Sequence, residues 1–362
     1  MNYKETLFFI GKCLTITHEK DNRILVEKQL KTGTVNWDNI VKITTAHYVF
    51  PALYCNLKRA DFLHYLPEDL VEYMKHITDL NRERNQQIIK EAKEINTLLL
   101  AHNITPIFLK GTGNLLDGLY QDIAERMVGD ADILVNKKDC IPAFKILQEN
   151  GYTNKVSELF NDHRHLPRIT HPKKIAAVEI HKEILREEKS DFFNYESIKN
   201  SLKINNNVSV LSFKNQIKLT VFSKLINDDA FMIKNISLRG AYDVFLLGNK
   251  LQTKIIIEDT HLSSELNAGL ILYTTLLACP KNISFIASEE NKKFLNKAIK
   301  ALDINRTNSF KRKITLLYLR LKTRLTILIK ALFSKSYFLF VFSKITDINW
   351  IKEKIGISKS TP

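Results

Sequence analysis

Apolar positions along the chain recur at helical spacing, then at strand spacing, then at helical spacing again. Residues 36–58 carry Ile40, Ile43, Ala46 and Tyr48 on one helical stripe. Residues 67–101 open on Pro67 with Glu68 and Asp69 in the first turn, as a helix N-terminus favours. Ile88, Ala92, Ile95 and Leu99 then follow at gaps of 4, 3 and 4, and Asn103 ends the run. The pattern now shortens. TPIFLK at 105–110 is a β-type run, GTGN and a helical LLDGLY come next, and GDADILV at 129–135 alternates like a strand. IPAFKILQENGY at 141–152 reads as a helix closed by Gly151, and KIAAVEIH at 174–181 as a strand. From 208 onward the pattern is mostly helical, over 214–226, 239–250, 265–278 and 290–302. This order predicts an α+β fold with its sheet between about 105 and 181. The expected division is an N-terminal helical region (1–103), a core (104–205), a C-terminal helical region (206–305) and a tail (306–362).

Composition narrows the class. The chain has 362 residues, 44% hydrophobic and 26% charged, which excludes wholesale disorder, collagen and a multi-span membrane protein. The four cysteines are far apart with no CxxC pair, so neither a disulfide framework nor a thiolate zinc site is expected. The apolar run Leu7 to Ile10 is shorter than a secretory signal needs. A cytoplasmic protein is the expectation.

The net charge of +15 is concentrated: nine basic residues and no acidic one lie between Arg306 and Lys335. Within that tail Ile314, Leu317, Leu321, Leu325, Leu328 and Leu332 form a helical stripe, and the aromatic-rich run Tyr337 to Phe342 follows. Lys330 and Lys335 interrupt the apolar run, so a membrane-spanning helix is not expected. Three readings stay open. The preferred one is a helix docked on the body with a solvated basic face. The second is a basic amphipathic helix, within residues 306–342, lying on an anionic membrane at its inner face. The third, not favoured, is nucleic-acid binding by the same charge.

The candidate chemistry lies between 105 and 181. Asp130 and Asp132 are two apart on a predicted strand, so both carboxylates share one face, about 7 Å apart along the strand. Such a pair suits a hard cation such as Mg²⁺, although two solvated strand residues would look the same. Upstream, a strand runs into Lys110-Gly111-Thr112-Gly113 and a helix. That turn aims backbone N–H groups at an anion, with a hydroxyl and a cation beside them; a simple turn capped by Thr112 is the plainer account. Downstream, VEIH places Glu179 and His181 on one strand face. A third carboxylate beside the pair is what a two-metal phosphoryl-transfer site needs. Arg126, four residues before Asp130, suits phosphate or carboxylate. His163, Arg164, His165 and His171 lack a recognised metal-ligand spacing and read as a loop. Arg239 and Asp243, four apart on one helix, read as a simple ion pair.

Taken in order, these pieces resemble the nucleotidyltransferases of the DNA polymerase beta type. More narrowly they resemble an uncharacterised bacterial nucleotidyltransferase family. The residues that carry this are Trp37-Asp38, His47-Tyr48-Val49-Phe50-Pro51, Arg84-Asn85, Lys110-Gly111, Arg126 with Asp130-Ala131-Asp132, Glu179-Ile180-His181, and Arg239 with Asp243, over roughly 35–285. Two features depart from the superfamily: Gly111-Thr112 replaces Gly-Gly or Gly-Ser, and 19 residues separate Gly111 from Asp130. The resemblance implies a small mixed sheet flanked by helical regions. It also implies transfer of an NMP group from an NTP to an acceptor hydroxyl on a small molecule, glycan or protein. On that basis Asp130 and Asp132 hold Mg²⁺ or Mn²⁺. Glu179 ligates the second metal or acts as base. Thr112 and the N–H groups of Gly111 to Gly113 hold the β- and γ-phosphates, with Lys110 and Arg126 as phosphate clamps. His181, Arg239 and Asp243 stand on the acceptor side. The competing expectation is a silent nucleotide- or nucleic-acid-binding module that keeps the fold.

Overall fold

A computed structural model describes residues 1–154, 164–303 and 310–346. It opens with α1 (Tyr3–Cys13), α2 (Lys20–Lys31), α3 (Trp37–Ala46), α4 (Phe50–Arg59) and the long α5 (Glu68–Leu100). The single helix expected over 36–58 is therefore two. A proline at position 51 of a continuous helix would clash with the carbonyl of His47. The chain instead breaks at Tyr48, whose φ is 57°, and restarts with Pro51 in the first turn of α4.

Five strands form one mixed sheet: β1 (Ile107–Phe108), β2 (Asp130–Leu134), β3 (Ala177–His181), β4 (Leu202–Asn205) and β5 (Val208–Leu211), in the order β3-β2-β1-β5-β4. The pairs β2–β3 and β1–β5 are parallel, β1–β2 and β4–β5 antiparallel. The sheet thus runs on to Leu211, beyond the 181 expected from the pattern and past residue 205. The β4–β5 hairpin turns on Asn206 and Asn207, both at positive φ (48° and 63°), the backbone that a two-residue hairpin loop requires and asparagine tolerates. On β2 and β3, Ala131, Ile133, Val178 and Ile180 point away from the acidic face and are fully buried. α6 (Lys110–Leu116) follows β1, and α7 (Cys140–Glu149) packs on β3 and against α5. Each large aliphatic side chain buried there contributes about 1.5–3 kcal/mol.

The rest is mostly helical: α8 (Tyr195–Ile198), α9 (Phe213–Phe222), α10 (Ala230–Ile233), α11 (Leu238–Lys250), α12 (Ser263–Leu276) and α13 (Glu289–Asp303), with a short parallel pair of strands, β6 (Ile255–Ile256) and β7 (Ile283–Ser284), among them. α9 runs on into a π turn over Ser223–Asn227. α1 packs against α12 and α13, so the helices before and after the sheet share one core, continuous from Leu7 to Leu302.

The tail forms α14 (Phe310–Phe333) and α15 (Lys335–Thr346). The preferred expectation, that the stripe from Ile314 to Leu332 docks on the body, is not met. Those six residues are between 49 and 78% exposed, and α14 meets the body through its other side. Lys322 pairs with Glu188 at 2.9 Å and Lys330 with Glu187.

Candidate active site

The parallel register of β2 and β3 sets Asp132 beside Glu179 and Leu134 beside His181. Residues in register on neighbouring strands share a face, so Asp130, Asp132, Glu179 and His181 all stand on one side of the sheet. Ligand atoms of Asp132, Glu179 and His181 lie within 4.8 Å of one another. Asp132 is the hub. Its Oδ1 accepts from Lys110 Nζ at 2.5 Å and from His181 Nε2 at 2.8 Å. Burial alone would raise its pKa, but the charge of Lys110 and the bond from His181 outweigh that and hold the carboxyl well below its usual range. Burial pushes the His181 imidazole down to about 4. The neutral ring donates through Nε2–H, and its buried Nδ1 has no partner among the described residues. Through that bond the ring orients Asp132. Asp130 is turned aside and ion-pairs with Arg168. Burial, helped by the charge of Asp132, raises its pKa despite Arg168.

The Gly-rich turn serves packing. Thr112, expected to reach phosphate, is 1% exposed; its hydroxyl donates to the Asp130 carbonyl at 2.9 Å and ties α6 to β2. The Gly113 N–H donates to the Leu109 carbonyl. A Cβ on Gly113 would lie 2.4 Å from the Phe108 carbonyl oxygen, so glycine there lets α6 approach β1. Lys110 and Gly111 do face the open cleft.

Arg126 and Asp243 join across the molecule. Arg126 Nε donates to Asp243 Oδ2 at 3.1 Å, Tyr120 donates to Asp243 Oδ1 at 2.7 Å, and Asn114 donates to the Tyr120 oxygen at 3.2 Å. Both ion-pair partners are buried. The simple Arg239–Asp243 pair is therefore replaced, because the carboxylate is spent on Arg126 and Tyr120. Arg239 instead lies over the Tyr48 ring, 4.9 Å from its centre. Among the described residues it meets no carboxylate within ion-pair distance, and burial with the nearby Arg126 charge lowers its pKa. α5 positions the segment that carries Arg126. Asn85 donates to the Arg126 carbonyl at 2.7 Å, Asn81 to the Ala124 carbonyl at 2.7 Å, and Arg84 Nε to the Val128 carbonyl at 3.3 Å.

These groups enclose a cleft of about 440 Å³ that brings Arg84, Lys110, Arg126 and Arg239 together with Asp130 and Asp132. A smaller chamber of about 240 Å³ continues it toward Ser223, Lys224 and Asn227 of the π turn, sharing Lys110, Arg126 and Arg239. A family described as uncharacterised nucleotidyltransferase matches residues 33–281. The chain belongs to this nucleotidyltransferase family. No curated protein and no solved structure matches it.

Within the nucleotidyltransferase frame, several cleft residues carried little signal alone. Tyr48 and Arg84 sit in the segments that resemble the family, yet nothing in their spacing assigned them to the cleft. Arg168 lies in a loop, and only the fold brings it to Asp130. The histidine cluster does not assemble among the described residues: His165 Nδ1 meets the Leu166 carbonyl, His171 accepts from the Lys173 N–H, and His163 lies outside the described residues.

Proposed function

We propose that this nucleotidyltransferase moves an NMP group from an NTP to an acceptor hydroxyl with release of pyrophosphate. The observation that carries the proposal is one cleft in which Asp130 and Asp132 meet four cations, Arg84, Lys110, Arg126 and Arg239, with Glu179 beside Asp132 on the same sheet face. Triphosphate oxygens suit the cations, and Asp132 and Glu179, with Asp130, offer the oxygen ligands a hard cation prefers. The donor set fits such an ion: Asp132 already holds the Lys110 ammonium at 2.5 Å. When bound, Mg²⁺ or Mn²⁺ supplies neutralisation of phosphate charge. Lys110 and Arg126 orient the phosphates, and Gly111, where a Cβ would lie 2.8 Å from Val128 Cγ2, lets the turn pack against the Arg126–Val128 segment. Glu179, on the same face, takes the proton as the acceptor oxygen bonds to the α-phosphorus and the bond to the β-phosphate breaks. Arg239 and the chamber behind it receive the acceptor. His181 and Asp243 act as positioning residues, the first for Asp132 and the second for Arg126.

One observation favours the second reading, a silent nucleotide-binding module: Lys110 and Arg168 already neutralise Asp132 and Asp130. The test is a labelled NTP panel with Mg²⁺ or Mn²⁺, following label into cell extract and into pyrophosphate. Transfer that disappears in Asp132→Asn supports the enzyme. A folded protein that binds NTP but transfers from none supports the module.

A further inference from the structure

The uncovered face of α14 and α15 has no place in the chemistry above. α14 meets the body through one side, where Leu319, Thr323 and Ile327 face Arg186, Asn227 and Asp229 across a cavity of about 400 Å³. On a 3.6-residue repeat these positions lie opposite Ile314, Leu321, Leu325 and Leu332. The helix therefore turns its more apolar side outward. At the end of α14 the chain bends by 118° into α15. There Phe338, Leu339, Phe342 and Ile345 are exposed as well, and the Phe338 and Phe342 rings stack 6.3 Å apart. An apolar patch this long and contiguous marks an interaction surface.

Charge selects the occupant. Lys313, Arg320 and Arg324 fall along one edge of the stripe by the same repeat, Arg320 and Arg324 also bordering an open groove against Asp228, Asp229 and Ile233, and no acidic residue occurs between Arg306 and Lys335. Basic side chains bordering an apolar face lay their stems on hydrocarbon and their charges among headgroups. A second copy of this chain would set like charge against like. A nucleic acid would match the charge and leave the leucines and phenylalanines in water. An anionic bilayer satisfies both. No single helix among the described residues is long and apolar enough to cross a membrane.

We propose that α14 and α15 dock this protein on an anionic lipid bilayer, lying in the interface with the Leu321–Leu325 stripe and Phe338 and Phe342 at the acyl boundary and Arg320 and Arg324 among the headgroups. Arg164 and Asn227 border both the cavity under α14 and the chamber behind the cleft, so docking holds the cleft beside the membrane surface. The proposal stands independently of whether the cleft transfers a nucleotide.

The test is flotation of the full-length protein with vesicles of phosphatidylcholine alone, or of phosphatidylcholine with about 25% phosphatidylglycerol. The expected result is flotation with the anionic vesicles and release by high salt. Leu321→Glu with Leu325→Glu abolishes it. Arg320→Ala with Arg324→Ala weakens it roughly 30-fold, from the loss of two surface charges. Because all four side chains are exposed, thermal melts of both variants should match the parent. Four results would overturn the proposal. They are absence of flotation, equal flotation with both vesicle types, indifference to both variants, and resistance to high salt with alkaline carbonate, which would signify insertion. Concentration-dependent self-association abolished by the Leu321→Glu, Leu325→Glu variant, without flotation of the parent, would also overturn it in favour of a second copy.

Discussion

Replacing Asp243 by alanine tests whether the Arg126–Asp243 pair is framework or chemistry. In the parent, one carboxylate oxygen accepts from Arg126 at 3.1 Å and the other from Tyr120 at 2.7 Å. Asp243 is 2% exposed, and the Arg126 side chain is 9% exposed. Asp243→Ala therefore leaves a largely buried guanidinium without a carboxylate, and a buried phenol without its acceptor. Breaking a buried pair from one side costs about 3–5 kcal/mol. For a chain of this length that corresponds to a fall in Tm of about 4–7 °C. The double variant Arg126→Met, Asp243→Leu removes both charges, and replacement of a whole buried pair by apolar groups is close to neutral. Most of the lost stability should return. Transfer should not return, because Arg126 also lines the cleft. Urea unfolding and thermal melts read the first effect, and the labelled-NTP assay reads the second. A cost under about 1 kcal/mol for Asp243→Ala, or a double variant as unstable as the single, would refute the role of this pair as a buried tie between the sheet and α11.

Asp132→Asn should reduce transfer by at least about a hundredfold. It should also lower stability of the metal-free protein by roughly 1–2 kcal/mol, since the charged contact to Lys110 is weakened. A cluster of acids read without its partners would suggest relief of repulsion, and a melt that rises would restore that view. Gly113→Ala should cost about 2 kcal/mol or more, because its Cβ would lie 2.4 Å from the Phe108 oxygen; Gly129→Ala, with nothing within 4 Å, should stay within about 0.5 kcal/mol in the same urea series. Lys110 has a φ of 52°, so Lys110→Gly should be more stable than Lys110→Ala by about 1 kcal/mol, the reverse of a helix interior. Arg168→Ala removes the partner of Asp130 and should tighten Mn²⁺ binding severalfold by paramagnetic titration; unchanged or weaker binding would count against Asp130 as a ligand.

How much of this was legible follows from where each signal is stored. Period-2 alternation over GDADILV gave β2 nearly to the residue, because one side of that strand is buried and the other carries carboxylates. The face shared by Asp132 and Glu179 depends on β2 and β3 being adjacent and parallel, and only the family resemblance hinted at that pairing. The β4–β5 hairpin was missed although Asn206-Asn207 between two β-branched runs is a turn signal; the flanking runs are four residues each, too short to outweigh the helical pattern that follows. A hydroxyl beside a glycine turn serves an anion or a neighbouring carbonyl equally well, so the sequence leaves Thr112 open between them; in the fold its hydroxyl donates to the Asp130 carbonyl at 2.9 Å. The tail stripe was read correctly as a stripe and wrongly as a docking face. Periodicity reports that a helix has an apolar side. It carries no information on whether the protein's own body lies against it.

The cleft's charges divide by how firmly each is held. Arg126 is fixed from two directions, by Asp243 at its guanidinium and by Asn81 and Asn85 at its carbonyl. Arg239 is held against Tyr48 and, among the described residues, meets no carboxylate within ion-pair distance. Lys110 and Arg168 are different: their partners are Asp132 and Asp130, and their side chains are 28% and 55% exposed. An ion pair that water can reach contributes little to stability, so its exchange for another ion costs little. A hard cation arriving at the acidic face would thus displace the two exchangeable cations and leave the two fixed ones in place. The displaced charges then need an anion, and Arg84 and Arg239 line the same cleft. A triphosphate arriving together with its metal balances both changes at once, whereas either alone leaves one set of charges unmatched. That coupling is the physical reason to expect metal and nucleotide to bind this cleft cooperatively.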